Sequence, residues 1–408
     1  MSPCAIAFTA QQSNQTDSRP FFLYDLDRLR QDISRLEHFT QTWLPEHQAS
    51  LHYSLKTNPN PHIVETILGS GWGLDVSSEE EFDWALRNIN RFDSHGEIQI
   101  SGIDKSNRLI EKAVLSNTTL NLDSIEEWNA ARAVSRTPKN LQPRIRLDTP
   151  LFLKHGMSLE MIRSHALKSE LRGLHLYWGR ERFHAQEINR ALIEINQWVA
   201  TNRDIFKHDQ GFDGIHLSIG PGLPGSKVEP IPLRKGELSE VKSIHLEIGR
   251  AAVTRCGSYS AKILAVKKMG AHISVIVNGG LQHLGSPVQS IFSQSANSVV
   301  EFHRPNVGLL APDDRCTANI FGSLCLSHDL LLSHSSIPTD LKRGDWVLFH
   351  NTGAYGLTAA VPFFIGQDLP REHSFAIKPT SAPSSQSGHE APPAFSYRTY
   401  DALKAPGP

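Results

Sequence analysis

The chain reads as an α/β protein: a (β/α)8 barrel of the TIM type followed by a second, mostly antiparallel β-domain. Two observations predict this. Between residues 51 and 248 short apolar runs alternate with amphipathic stretches, the order of strands and helices in a parallel barrel. Beyond Arg250 the helical stretches cease and short runs separated by turn signals take over, which suits antiparallel pairing. A length of 408 residues leaves room for both parts.

Taken in order, residues 1–20 are polar and expected to be loose. Phe21-Phe-Leu-Tyr24 reads as a strand. It is counted with a barrel domain of 21–250, although it could join the β-domain instead. Asp25-Leu-Asp27 opens a helix carrying Leu26, Leu29, Ile33 and Leu36 at helical spacing. The eight barrel strands are expected at 51–56, 72–76, 97–101, 118–122, 143–148, 171–177, 213–219 and 243–248. Helical patterns lie between them at Glu79–Leu86, Asn107–Ala113, Leu159–Leu167 and Ala185–Val199.

The β-domain is expected over 251–366, with strands at Ser258–Lys267, His272–Val277, Leu324–Leu332 and Trp346–Phe349 and a turn at Lys342-Arg-Gly-Asp345. From 367 to 408 the chain is rich in Pro, Ser and Gly, cannot bury a core, and is expected to be an unstructured tail.

Composition excludes several classes. Lys plus Arg number 41 against 42 for Asp plus Glu, so no global field favours nucleic acid or an anionic membrane as partner. No apolar run approaches the roughly 20 residues of a membrane helix, and Met1 to Arg19 lacks the regions of a signal peptide. Cys4, Cys256, Cys316 and Cys325 are scattered without metal-ligand or disulfide spacing. A cytoplasmic protein with no metal is the expectation.

Barrel enzymes carry their chemistry at the carboxyl ends of the strands. Lys56, Asp75, Arg146, Tyr177, Gly220 to Gly222 and Glu247 stand there. In Leu51-His-Tyr-Ser-Leu-Lys-Thr-Asn-Pro-Asn60, apolar and polar residues alternate up to Lys56, and Asn and Pro then turn the chain out of the strand. A lysine on the last residue of a buried strand is poorly solvated, which lowers its pKa and frees its amine for a Schiff base with an aldehyde. A surface lysine at a strand end fits the same pattern. Gly220-Pro-Gly-Leu-Pro224 could bring backbone amides close to a phosphate, or could be an ordinary Gly-Pro turn. Glu247-Ile-Gly-Arg250 offers a buried acid for a protonated ring nitrogen and an arginine for a phosphate, or an internal ion pair.

Six motifs then fall in order: Tyr-Ser-Leu-Lys-Thr-Asn-Pro (53–59), Leu-Asp-Val-Ser-Ser-Glu-Glu-Glu (74–81), the glycines at 220–222, Glu-Ile-Gly-Arg (247–250), Gly-Ser-Leu-Cys-Leu-Ser-His-Asp (322–329) and Gly-Ala-Tyr (353–355). Together they resemble the fold type III pyridoxal-phosphate decarboxylases, the ornithine and diaminopimelate decarboxylase group with its alanine racemase-type barrel, over residues 21 to 366.

The resemblance implies pyridoxal 5'-phosphate as cofactor, an amino-acid substrate and a homodimer with a shared active site. Lys56 would be the Schiff-base lysine and Cys325 would help to protonate the substrate carbon across the dimer. Asp75 would support Lys56, and Glu247 would bond the pyridine nitrogen. Gly222 and Arg250 would hold the cofactor phosphate, with Tyr355 adding a hydroxyl, and Gly220 and Gly249 would also bind the cofactor.

Two departures bear on the substrate. The family usually has a His-Val-Gly-Ser-like run after the sixth strand, where this chain has Tyr177-Trp-Gly-Arg180. Tyr177 can still stack on the ring but cannot become a cation near neutral pH. After Cys325, relatives acting on diamino acids place an acid, where this chain has Leu326. Arg180, Leu326 and Asp329 are therefore the expected substrate contacts, for a substrate without a distal free amine such as a siderophore or secondary-metabolite precursor. An amino-acid racemase on the same barrel and a catalytically inactive, partner-binding homologue are the alternatives.

Overall fold

The computed structural model describes residues 19–89, 97–135, 138, 140–146, 155–179, 183–206, 211–226, 228–285, 300–310 and 313–376. The chain divides into two compact units. A barrel unit spans Ile33–Ala251, and a sheet unit joins residues 19–32 to the described residues of 252–376.

Strand β1 (Phe21–Asp25) and helix α1 (Leu26–Trp43) come first. The barrel follows as β2 (Gln48–Ser54), α2 (Pro61–Leu68), β3 (Gly73–Val76), α3 (Glu79–Asn88), β4 (Ile98–Ile100), α4 (Asn107–Leu115), β5 (Thr119–Leu122) and α5 (Ile125–Val134). It continues with β6 (Leu141–Ile145), α6 (Leu159–His165), β7 (Gly173–Tyr177), α7 (Ala185–Thr201), β8 (Ile215–Gly220) and β9 (Val241–Ile248). Strands β2 to β9 close into a parallel barrel, as expected. Helices α2 and α5 are additions to the sequence-based reading. Pro61 hides the start of α2, although Asn60 caps it by accepting from the His62 amide.

Four of the strand-to-helix turns share one chemistry. Ser78, Ser106, Ser124 and Ser158 each accept, through the side-chain hydroxyl, the amide three residues on, at Glu81, Leu109, Glu127 and Met161. Each such cap is worth about 1 kcal/mol. These caps open the helices that follow β3, β4, β5 and β6, on the rim that holds the candidate site.

The alternation along the strands then sorts side chains to two sides. Leu74, Val76, Ile100, Leu120, Leu174, Leu176, Leu217, Ile219, Leu246 and Ile248 are buried on the apolar side. The other side is polar and meets across the barrel: the Ser218 hydroxyl on β8 reaches Gln99 Oε1 on β4 and Gln142 Oε1 on β6. A TIM barrel is commonly filled by branched aliphatics; here the lumen carries His52, Asp75, Gln99, Asn121, Gln142, His175 and Glu247.

The sheet unit continues with α8 (Arg250–Val253) at its junction, then β10 (Gly257–Met269), β11 (His272–Val277), β12 (Val300–Arg304), β13 (Gly308–Leu309) and β14 (Arg315–Phe321). It ends with β15 (Leu330–Pro338), β16 (Trp346–His350) and β17 (Arg371–Phe375). Its order is β13-β12-β16-β10-β11-β14-β15, with β1 on β10 and β17 on β1. Among the described residues its parallel pairs are β1–β17 and β11–β14. Strand β1 pairs antiparallel with β10 and so lies in this sheet, where Phe21 and Leu23 pack with Trp346 and Leu348 and Phe375 closes over them.

Two expectations are corrected. The run 324–332 is not one strand: Leu324 to Asp329 form a turn, and β15 begins at Leu330. The region beyond 367 is not structureless throughout, since Arg371–Phe375 pairs with β1; its polar sequence gave no periodic signal. The rest of the expected tail, 377–408, and the expected loose segment 1–18 lie outside the described residues.

Candidate active site

Lys56 follows the barrel's first strand within a short 3-10 turn, Leu55–Thr57. Asn side chains build what comes next: Asn58 Oδ1 accepts the Asn60 amide, and the Tyr53 hydroxyl donates to the Asn58 carbonyl. The lysine is therefore two residues past the strand end, and its side chain stays 42 % exposed. The expected desolvation is replaced by partners: Nζ donates to Asp75 Oδ2 at 3.2 Å and to Ser77 Oγ at 2.9 Å. Asp75 is fully buried, accepts the Ser54 hydroxyl at 2.9 Å, and its Oδ1 has no hydrogen-bond partner among the described residues. Burial, with the Glu247 charge adding to it, raises its pKa.

Glu247 sits at the carboxyl end of β9. Its Oε1 accepts from Gln99 Nε2 at 3.0 Å, Ser101 Oγ at 2.9 Å and Asn121 Nδ2 at 3.4 Å, and His175 Nε2 stands 2.9 Å away. Burial works against the charge, but the His175 ring set against Oε1, with the Lys56 and Arg144 charges beyond it, holds the carboxyl below its ordinary value. Its Oε2 has no hydrogen bond among the described residues. That oxygen faces Gly220, where an added Cβ would come within 3.1 Å of it and within 2.9 Å of the Tyr177 ring. The bare glycine thus lets an aromatic face and a carboxylate share one corner of the rim.

Gly249 has a similar role. A Cβ there would meet Thr57 Oγ1 at 2.2 Å and Ser54 Cβ at 3.3 Å, so only glycine lets the β9 turn lie against the Lys56 turn. Arg250, buried, follows at the first position of α8. Gly222 adopts φ +69, a left-handed conformation that glycine favours, and its carbonyl accepts the Phe183 amide.

In the sheet unit, Tyr355 has a left-handed backbone, φ 58, unusual for a residue with a side chain. Cys325 is exposed and Leu326 half-buried. Asp329 is buried, with Oδ1 accepting the Leu281 amide and Oδ2 the Leu324 amide, each at 2.8 Å. These bonds tie the Cys325 turn to Leu281. Arg180, with Arg182, lies outside the described residues. Arg146 follows β6, its amide donating to the Met157 carbonyl.

Sequence reasoning missed His175, Arg144, Gln99, Ser101 and Asn121. The available signal was polar residues at alternate positions of the strands, as in Gln99-Ile-Ser101 and His175-Leu-Tyr177.

An amine, an ionised carboxylate with one oxygen unengaged, a flat aromatic and bare glycines on the carboxyl rim of a parallel barrel suit a charged heterocycle bearing an aldehyde and a phosphate. The orphaned Asp75 Oδ1 and the opening at Gly220 fit such a group. A family model described as "Pyridoxal-dependent decarboxylase, C-terminal sheet domain" matches residues 21–353, and the chain belongs to this family of pyridoxal-phosphate-dependent carboxy-lyases.

Among its relatives is a diaminopimelate decarboxylase of Bacteroides thetaiotaomicron, 24% identical over 373 residues, covering 84% of this chain and 92% of the relative. Another is the L-glutamyl-(BtrI acyl-carrier protein) decarboxylase of Niallia circulans, 25% identical, covering 86% and 88%. The fold is shared with Helicobacter pylori diaminopimelate decarboxylase complexed with L-lysine, at TM-score 0.71 and 21% identity, covering 90% of this chain and 94% of that one. It is shared also with the Paramecium bursaria Chlorella virus arginine decarboxylase bound to agmatine, at TM-score 0.72 and 17% identity, covering 91% and 100%. Among the described residues no helix is long and apolar enough to cross a membrane.

Proposed function

We propose that this decarboxylase acts on an amino acid, or an amino-acid conjugate, whose far end carries no free ammonium. The observation that carries the reading is the turn 322–329. Asp329 is its one acid, and both of that carboxylate's oxygens are held by backbone amides, that of Leu324 within the turn and that of Leu281 outside it. The residue after Cys325 is Leu326. A distal ammonium brought to this turn loses hydration without gaining a counter-ion, whereas an acylated or carboxylate-bearing end does not. A citryl-diamino-acid conjugate has that chemistry. The relative named for a glutamyl group on an acyl-carrier protein supports a conjugated substrate.

In this reading Lys56 binds the cofactor aldehyde while Asp75 orients the lysine. Glu247 keeps a proton on the ring nitrogen through Oε2, and Tyr177 covers a ring face. Gly222 and Arg250 hold the phosphate, with the Tyr355 hydroxyl, while Gly220 and Gly249 leave room for the cofactor and the Lys56 turn. Bound pyridoxal phosphate supplies an electron sink for the bond that breaks as carbon dioxide leaves. Negative charge grows only in that step, so a fixed proton on the ring nitrogen stabilises the transition state more than the ground state. Cys325, exposed, then donates a proton to the substrate carbon in a homodimer with a shared site.

The test is carbon dioxide release by the holoenzyme across paired substrates: lysine, ornithine and diaminopimelate against distally acylated or carboxylated counterparts. Release from the second group is expected, with L326D shifting activity toward the first. Equal or faster release from the free diamino acids defeats the substrate reading. Racemisation without gas identifies a racemase. A protein that takes up no cofactor and releases no gas is the inactive homologue.

A further inference from the structure

Behind Glu247 runs a line of buried polar groups. Asp123, just past β5, holds Arg144 Nη1 at 2.6 Å. Arg144, on β6, donates Nε–H to His175 Nδ1 at 2.9 Å, and its Nη2 reaches the Ser101 carbonyl. His175, on β7, has Nε2 2.9 Å from Glu247 Oε1. The approach is bent, yet the ring is completely buried and this nitrogen has no better-aligned partner among the described residues.

We propose that Arg144 and His175 are positioning residues that fix the charge and orientation of Glu247: they set one N–H against Oε1 and so leave Oε2 to the cofactor's ring nitrogen. A guanidinium has donors and no acceptor, so the Nδ1 that receives Arg144 must be bare. The single proton of a neutral imidazole is then on Nε2, facing Glu247. A second proton on the ring would set N–H against N–H and break the contact with Arg144. Burial and the Arg144 charge also lower the pKa of His175 against the opposing pull of Glu247 and Asp75, the other charged groups that face it. His175 therefore neither neutralises Glu247 nor competes for its free oxygen. The inference rests on the family's cofactor and not on the substrate class, so a wrong substrate leaves every readout below unchanged.

The experiment begins with histidine 15N NMR of the full chain, His175 being assigned by its loss in H175Q. A neutral ring with the proton on Nε2 is expected from about pH 5 to 8. A ring with the proton on Nδ1, or one that becomes a cation in that range, overturns the proposal.

Two holoenzyme variants complete it. Gln can accept from Arg144 and donate to Glu247 but cannot titrate. H175Q should therefore bind pyridoxal phosphate within about threefold of the parent and keep the ring nitrogen of 15N-labelled cofactor protonated. Leu can do neither, so H175L should weaken binding about ten- to a hundredfold and lose part of that protonation. If folded H175L retains both, or if H175Q fails as H175L does, the positioning role is wrong. Should H175L not fold, the tautomer and H175Q still decide.

Discussion

Lys56 Nζ donates to Asp75 Oδ2 at 3.2 Å across the gap between two neighbouring strands' ends. Because the lysine is half-exposed, Asp75 and Ser77, and not burial, hold the amine in place. K56A is expected to remove both the visible absorbance of bound cofactor and carbon dioxide release, with the fold intact by circular dichroism. D75N preserves shape but removes the charge, and kcat/KM should fall about ten- to a hundredfold. Activity surviving in K56A would sink the assignment.

Gly249 has no room for a methyl group, since Thr57 Oγ1 occupies the position. G249A should cost about 1–3 kcal/mol in stability and shift the Lys56 turn. Adding T57A removes the obstructing atom and should recover part of the loss. A G249A protein with unchanged Tm and cofactor affinity would refute the close packing of the two turns.

Asp329 is acceptor to two amides, one from Leu324 in the Cys325 turn and one from Leu281 outside it. In D329N one of them faces an NH2 donor instead, a mismatch costing about 1–3 kcal/mol. Denaturant unfolding should report that loss, and turnover should fall as Cys325 is displaced. If D329N keeps stability and instead changes substrate preference, the carboxylate contacts substrate after all.

Three imidazoles from β2, β8 and β9 gather within the barrel: His52 stacks on His245 at 4.6 Å, and His216 lies 6.2 Å from His245. Burial pushes His52 and His216 each down to about 3, with neighbouring positive charge adding to it. Above pH 6.5, the ordinary value, folded and unfolded chains both hold these rings neutral. Below it the unfolded chain takes up protons that the folded one refuses, so stability falls, with a limiting slope of about 1.4 kcal/mol per pH unit for each ring. Thermal unfolding should show Tm dropping between about pH 7 and 5, less steeply in H216Q. A flat profile would mean that the rings take up protons in the folded state.

Much of the architecture was legible along the chain because each strand and helix announces itself locally. All eight barrel strands lie where the apolar runs put them. Where signals were weak the reading slipped: α2 was hidden by its leading proline, β17 by its polar sequence, and the Cys325 turn by leucines that mimic a strand. The reactive rim was legible for a related reason. A strand's carboxyl end is a position in sequence, so Lys56, Asp75, Tyr177, Gly220 and Glu247 could be named before any distance was known.

What the sequence by itself determined is the barrel, the second sheet, the family and the rim residues, because periodicity, turn chemistry and motif order are properties of neighbours along the chain. Tertiary structure alone decided which groups share a hydrogen bond. Closing the barrel brings Gln99, Ser101, Asn121 and His175 onto one oxygen of Glu247 and sets Arg144 behind His175; within the sheet unit, the fold brings the Leu281 amide to Asp329. Those residues are dozens of positions apart, and only a fold that removes water from between them makes their pairing count.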